Sequence, residues 1–234
     1  MAIVCHFAGC VKDYDAQFDA LVVAWRPERC PHCGGQSTCI FWGSYARHVY
    51  TIADHLVIRI QRVRCIACGV TDALLPSFLH LFRRYTLTLI QQALTLTLDA
   101  GLWGDALADT VAPYGQPAVA TMREWAWSLA HAAETLLDWL QHSLTTRDPL
   151  ADLDPGPPPA HLRAIRYLPR RAAFTRAWQF LRLADVLYAA SRAHQPDLAF
   201  DAGSLLAFLA AALLAAGRPP RLLWRHAPAR GAPT

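Results

Sequence analysis

Two Cys-x-x-Cys-Gly runs, Cys30-Pro-His-Cys33-Gly34 and Cys65-Ile-Ala-Cys68-Gly69, stand 31 residues apart. A Cys-x-x-Cys turn presents two sulfurs to one ion, and two such turns complete the tetrahedral shell that zinc favours. Glycine directly after the second cysteine allows a sharp turn and lets backbone N–H groups approach sulfur where a Cβ would obstruct. Cys30, Cys33, Cys65 and Cys68 are therefore read as the ligands of one structural Zn2+. Four sulfurs leave no position open for water, so a structural role is expected rather than a catalytic one. A redox dithiol would need a single pair at the start of a helix after a strand, not two matched pairs bracketing strands. Cys5, His6 and Cys10 offer half of a second metal site with no second half in view. Cys39 reads as a buried strand residue, and His32 and His48 as surface.

The residues between the two turns have to bring them together. Residues 38–42 are β-branched and aromatic, Gly43-Ser44 is a turn signal, and residues 45–52 resume strand character. From Leu56 to Gln61 the chain alternates, with Ile58 and Ile60 opposite Arg59 and Gln61. The alternation slips at Arg62-Val63, the mark of a bulge or a strand end. Upstream, Phe18, Leu21, Val22 and Trp25 fall at helical spacing within residues 14–25. Zinc binding is worth roughly 10–16 kcal/mol in small zinc peptides, enough to organise a segment too small to hold itself together.

Beyond Pro76 the pattern turns helical. Residues 85–100 form an apolar and Thr/Gln-rich run stopped by Gly101. A short helix over 103–111, a Pro/Gly turn, and a helix opened by Pro117 and running to about 143 have the proportions of a helix-turn-helix. Five prolines within residues 148–159 forbid helix and sheet. Helices are expected again over 171–193 and 203–216. The predicted organisation is an N-terminal segment (1–28), a zinc ribbon (29–78), a helix-turn-helix-like domain (79–143) and a Pro-rich linker (144–160). A C-terminal helical region (161–216) and a basic disordered tail (217–234) complete it. The fold class is α+β: a small antiparallel ribbon followed by a mainly α-helical body.

Composition bounds the function. Hydrophobic residues make up 54% of the 234, ample for a core. The net charge of +4 hides blocks: residues 26–84 carry +5, residues 85–154 carry −7 and residues 155–234 carry +8. Basic blocks favour polyanions, though they are also ordinary solvated surface. The apolar run at 205–216 falls short of the roughly 20 residues a bilayer needs, so no membrane contact is expected. The start lacks the pattern of an export signal, and seven cysteines then point to a reducing, cytoplasmic setting. In a helix-turn-helix the early residues of the second helix meet the bases; here these are Ala118, Thr121, Met122 and Arg123, with Trp125 turned to the core. Phosphate contacts dominate affinity, so the acidic middle block must borrow charge from Arg59, Arg62, Arg64, Arg83 and Arg84.

The run from Arg62 through Cys65-Ile-Ala-Cys68-Gly-Val-Thr-Asp-Ala-Leu-Leu-Pro76-Ser-Phe-Leu-His, followed by Arg84-Tyr85, resembles a bacterial domain-of-unknown-function family, number 6431. It is also similar to the N-terminal zinc ribbons of ISL3-type insertion-sequence transposases. Cys30-Pro-His-Cys33-Gly and Trp42-Gly43-Ser44-Tyr45 fit the same pattern, which covers about residues 29–130. The resemblance implies a zinc ribbon followed by a helix-turn-helix that recognises double-stranded DNA, with Thr121 and Arg123 nearest the bases. Glu124 stands where that pattern carries a second arginine. No run of alternating strands after Tyr85 offers the sheet on which a transposase sets its acidic residues, and Asp185, Asp197 and Asp201 are scattered. No catalytic residue and no enzyme activity are expected. The function expected is DNA binding by a transposon-associated protein, as a homodimer or with a transposase partner. The alternative is a non-enzymatic interaction module docking on a transposase or other protein, motivated by the acidic block and the apolar helix near residue 205.

Overall fold

The computed structural model describes residues 2–7, 9–79, 84–104, 106, 107, 109, 117–148, 153–194 and 205–216. Its class is α+β. Strands β1 (Ala2–Cys5), β2 (Cys39–Tyr50), β3 (His55–Cys65) and β4 (Thr71–Pro76) form one sheet in the order β1-β4-β3-β2. β2, β3 and β4 are antiparallel neighbours, and β1 adds to the far edge parallel to β4, with Ile3 opposite Leu74.

Helix α1 (Val11–Ala24) covers part of this sheet. Its start is fixed by the Asp13 carboxylate, which accepts a hydrogen bond from the Cys10 amide at 2.9 Å. Val11, Tyr14, Phe18 and Val22 fall on one stripe and bury against Ile58, Ile60, Leu75 and Phe78. The Tyr14 hydroxyl donates to the Arg59 carbonyl at 2.9 Å, which satisfies a polar group inside an apolar cluster.

β2 is a single strand, where the residues at Gly43-Ser44 suggested a turn. The pairing jumps from Phe41 opposite Val63 to Ser44 opposite Gln61, so Trp42 and Gly43 together face Arg62. This is a bulge on β2, and it accounts for the slip seen at Arg62-Val63: the extra residue belongs to the partner strand. Gly43 takes φ +76°, a conformation that costs other residues strain. The buried Gln61 side chain donates to the Gly43 carbonyl and to the Arg62 carbonyl, each at 2.9 Å, and pins the bulge.

The second half is helical: α2 (Leu87–Leu98), α3 (Val119–Arg147), the one-turn α4 (Ala160–Arg163), α5 (Leu168–His194) and α6 (Leu205–Ala215). Thr86 caps α2 by accepting from the Leu89 amide, and Gly101 follows that helix at φ +70°. α3 runs four residues into the stretch read as linker. Helices on both sides of the prolines share one core: Leu94, Trp125, Leu129, Phe174, Leu181 and Leu209 belong to the same cluster. The apolar α6 is spent inside it, with Leu206, Phe208 and Leu209 buried. The two halves meet where Tyr85 packs between Tyr50 of β2 and Trp125 of α3, with ring centroids 5.4 and 5.2 Å apart. The turn expected at 112–116, residues 105, 108, 110 and 111 of the short helix before it, and the tail at 217–234 lie outside the described residues.

Candidate metal centre

The two cysteine turns are near copies of each other. In the first, the Gly34 amide donates to the Cys30 carbonyl and the Cys30 amide to the Gly35 carbonyl, both at 2.9 Å. In the second, the Gly69 amide donates to the Cys65 carbonyl at 2.8 Å and the Cys65 amide to the Val70 carbonyl at 2.9 Å. Gly34 and Gly69 sit at φ +72° and +74°, which is the turn the sequence asked of them. The first turn precedes β2 and the second joins β3 to β4. They are tied directly, since the Ile66 amide donates to the Thr38 carbonyl at 2.9 Å.

This places Cys30, Cys33, Cys65 and Cys68 in one group whose sulfurs all lie within 4.8 Å of one another. Cys30 Sγ is 3.8 Å from Cys68 Sγ, and Cys33 Sγ is 3.7 Å from Cys65 Sγ. A Zn–S distance of about 2.3 Å implies tetrahedron edges of about 3.8 Å, so the spacing fits a four-coordinate ion. All four are free thiols rather than disulfides. Donors converge on the sulfurs: the His32 amide reaches Cys30 Sγ at 3.4 Å, and the Thr38 hydroxyl lies 3.2 Å from Cys65 Sγ. That hydroxyl, followed by the Cys68 amide, lowers the Cys65 pKa to about 6, while the Cys33 and Cys68 thiols beside it are raised, so of these three Cys65 most readily becomes the thiolate a metal requires. The arrangement is a closed four-cysteine cluster at the end of a sheet that could hold one metal ion, and it resembles a zinc ribbon.

Outside the four sulfurs, Asp72, which the sequence did not single out, and His32, read there as surface, support the site. His32, inside the first turn, pairs through Nε2 with Asp72 Oδ2 of β4. Asp72 is only 5% exposed, so this contact fastens the first turn to the sheet from below. Cys39 is buried beside Cys30 and Cys65 without being a fifth ligand, and its thiol is raised chiefly by burial. Among the described residues no other group of three or more His, Cys, Asp or Glu side chains is placed to hold a metal. Cys5 is buried with Val63 and Leu74, its thiol pushed up to about 12 by desolvation, while Cys10 is exposed.

The arginines read as phosphate contacts are spread along the molecule. Arg59 of β3 is half exposed, lies 4.1 Å over the Phe18 ring and stands 3.7 Å from Asp19, so α1 engages it. Arg62 is exposed, and Arg64 lies over the Trp42 ring at 4.6 Å. Arg84 is exposed, its carbonyl accepting from the Tyr50 amide, and Arg83 lies outside the described residues. Thr121 and Arg123 occupy the first turns of α3, half-buried and exposed respectively, and Met122 and Trp125 of the same turns are buried. Asp185 is exposed on α5.

Fold and cluster together define an α+β protein in which four cysteines of zinc-ribbon type brace one end of a small sheet, joined to a helical body. Residues 30–123 match a family described as a domain of unknown function (DUF6431). The matched stretch holds both cysteine turns, the β2–β3 hairpin and the start of α3. No curated protein and no solved structure matches the chain.

Proposed function

We propose that this chain is a non-enzymatic DNA-binding protein whose ribbon is organised by zinc, and that it is associated with or derived from a mobile genetic element. The observation that carries the reading is the state of Arg62 and Arg64. They project from β3 directly before Cys65, and among the described residues no carboxylate pairs with either. Rigid, unneutralised guanidinium groups on a metal-braced sheet are suited to phosphate oxygens. An all-thiolate shell selects zinc among the common divalent ions and leaves it no open position, which supports a structural role.

The similarity of the cysteine pairs and the Leu74-Leu75-Pro76-Ser77-Phe78-Leu79 run to ISL3-type transposase ribbons supports double-stranded DNA as the target and a mobile element as the origin. Arg59, which stands 3.7 Å from Asp19, and Arg84 add positive charge elsewhere on the molecule, and on this reading Thr121 and Arg123 lie nearest the bases. Homodimerisation or a transposase partner would supply the second half of a DNA site, and the setting is the cytoplasm. The expected outcome is that zinc-loaded protein retards a duplex probe, with affinity falling steeply as salt rises. Replacing Arg59, Arg62 and Arg64 together by alanine should abolish most of that binding and flatten its salt dependence. Unchanged retardation would remove this surface from the reading. A stable protein complex with no retardation of any duplex would favour the interaction-module alternative.

A further inference from the structure

β2 is an edge strand, paired along its length with β3 and bridged to Tyr85 at its last residue, Tyr50. Directly opposed residues of an antiparallel pair share a face, and both residues of a bulge share the face of the residue they oppose. The register therefore sets Ile40, Trp42 and Tyr45 of β2 on one face with Arg62 and Arg64 of β3. Farther along that face Ile58 and Ile60 are buried with α1. Toward the cysteine cluster the face is open: Ile40 and Tyr45 are each 39% exposed and Trp42 45%. Arg64 is stacked on the indole of Trp42. Gly43 leaves room beside Arg62, whose Nη2 lies 3.7 Å from where a side chain at that position would begin.

The geometry points to a stacking platform for unpaired nucleobases: Trp42 and Tyr45 receive bases on their rings, and Arg62 and Arg64 hold the phosphates of the same strand. This rests on the DNA-binding reading above and adds a ligand class to it, a single-stranded polynucleotide. Flat rings interleaved with cations fit a chain that is at once apolar on its base faces and anionic along its backbone. A duplex hides those base faces, so Trp42 and Tyr45 would have nothing to stack on.

The test uses the full zinc-loaded chain and fluorescence anisotropy with oligo-dT, oligo-U and a blunt duplex of equal length, at one salt concentration. Trp42→Ala and Tyr45→Ala should each weaken binding of at least one of the two single strands about ten-fold while leaving the duplex nearly unchanged. Trp42→Phe, which keeps a flat ring, should restore most of the loss. Zinc content and helical circular dichroism, unchanged in each variant, show that the fold is kept. Single-strand affinity that survives both alanine substitutions overturns the proposal, as does an equal loss on the duplex or a failure of phenylalanine to rescue. Wild-type protein that binds the duplex and neither single strand overturns it while leaving the DNA-binding reading intact, and protein that binds none of the probes removes both. A wild-type dimer that dissociates on Trp42→Ala assigns the face to a second copy and likewise overturns it.

Discussion

Asp72 is a buried carboxylate near the start of the short β4, and its partner His32 lies inside the first cysteine turn. A buried carboxylate without a partner is costly, and a turn carrying two ligands must be held still if the other two are to meet the same ion. One contact answers both needs. Removing it should leave the four sulfurs present and their positions less fixed. Asp72→Asn is expected to bind one zinc per chain and to release it to a colorimetric chelator about ten-fold faster than wild type. Cys68→Ser, which removes a ligand, should fail to retain stoichiometric zinc at all. Release from Asp72→Asn at the wild-type rate would reduce the pair to packing. The convergence of the four cysteines was legible because their spacing in the chain is itself the geometry of two turns. The His32–Asp72 pair was not, because 40 residues separate its members and neither spacing nor type announces a partner.

At the scale of elements, the helices announced themselves by periodicity and stop signals, and the sheet did so only in part. The apolar run read over 85–100 became α2, and the helix read over 171–193 became α5, each within a few residues. β1 and β4 did not stand out. Four and six residues are too few to show a period, and β4 ends in Pro76, a residue that argues against a strand. β1 is also defined by a partner about 70 residues away in sequence, which no local pattern can carry. The bulge was legible as a broken alternation, yet on the wrong strand: a slip in register changes both partners, and the sequence of one cannot say which holds the extra residue. Gln61 is the element-level anchor of that bulge. Gln61→Leu keeps the volume and removes both hydrogen bonds, leaving the Gly43 and Arg62 carbonyls without this donor. The expected cost is about 2 kcal/mol by urea denaturation. The same variant should lower oligo-dT affinity by misplacing Trp42, whereas denaturation matching wild type would mean the bulge is held by the ladder alone.

For the molecule as a whole, the decisive feature is that it has two main cores and a narrow joint. The α1–sheet cluster and the helical cluster share no residue, and the cysteine sulfurs belong to neither. Among the described residues the joint includes three backbone hydrogen bonds, Tyr50 amide to Arg84 carbonyl, Thr86 amide to Tyr50 carbonyl and Leu87 amide to Phe78 carbonyl, and Tyr85 resting against Trp125. On the proposed reading an ion held by the four cysteines braces the far end of the sheet, so its removal should act on one core far more than on the other. Chelation of the full chain is expected to loosen the ends of β2 and β3 and the two cysteine turns, while the helical signal in circular dichroism is largely retained. Hydrogen exchange should then show protection lost around Thr38, Cys39 and Ile66 and kept along α3 and α5. The amides of Tyr50 and Thr86 report which way the joint goes: if they stay protected in the metal-free protein, the helical half holds the hairpin's other end in place. Should α3 and α5 lose protection together with the sheet, the two clusters fold as one cooperative unit, and the ion stabilises the whole chain rather than the ribbon.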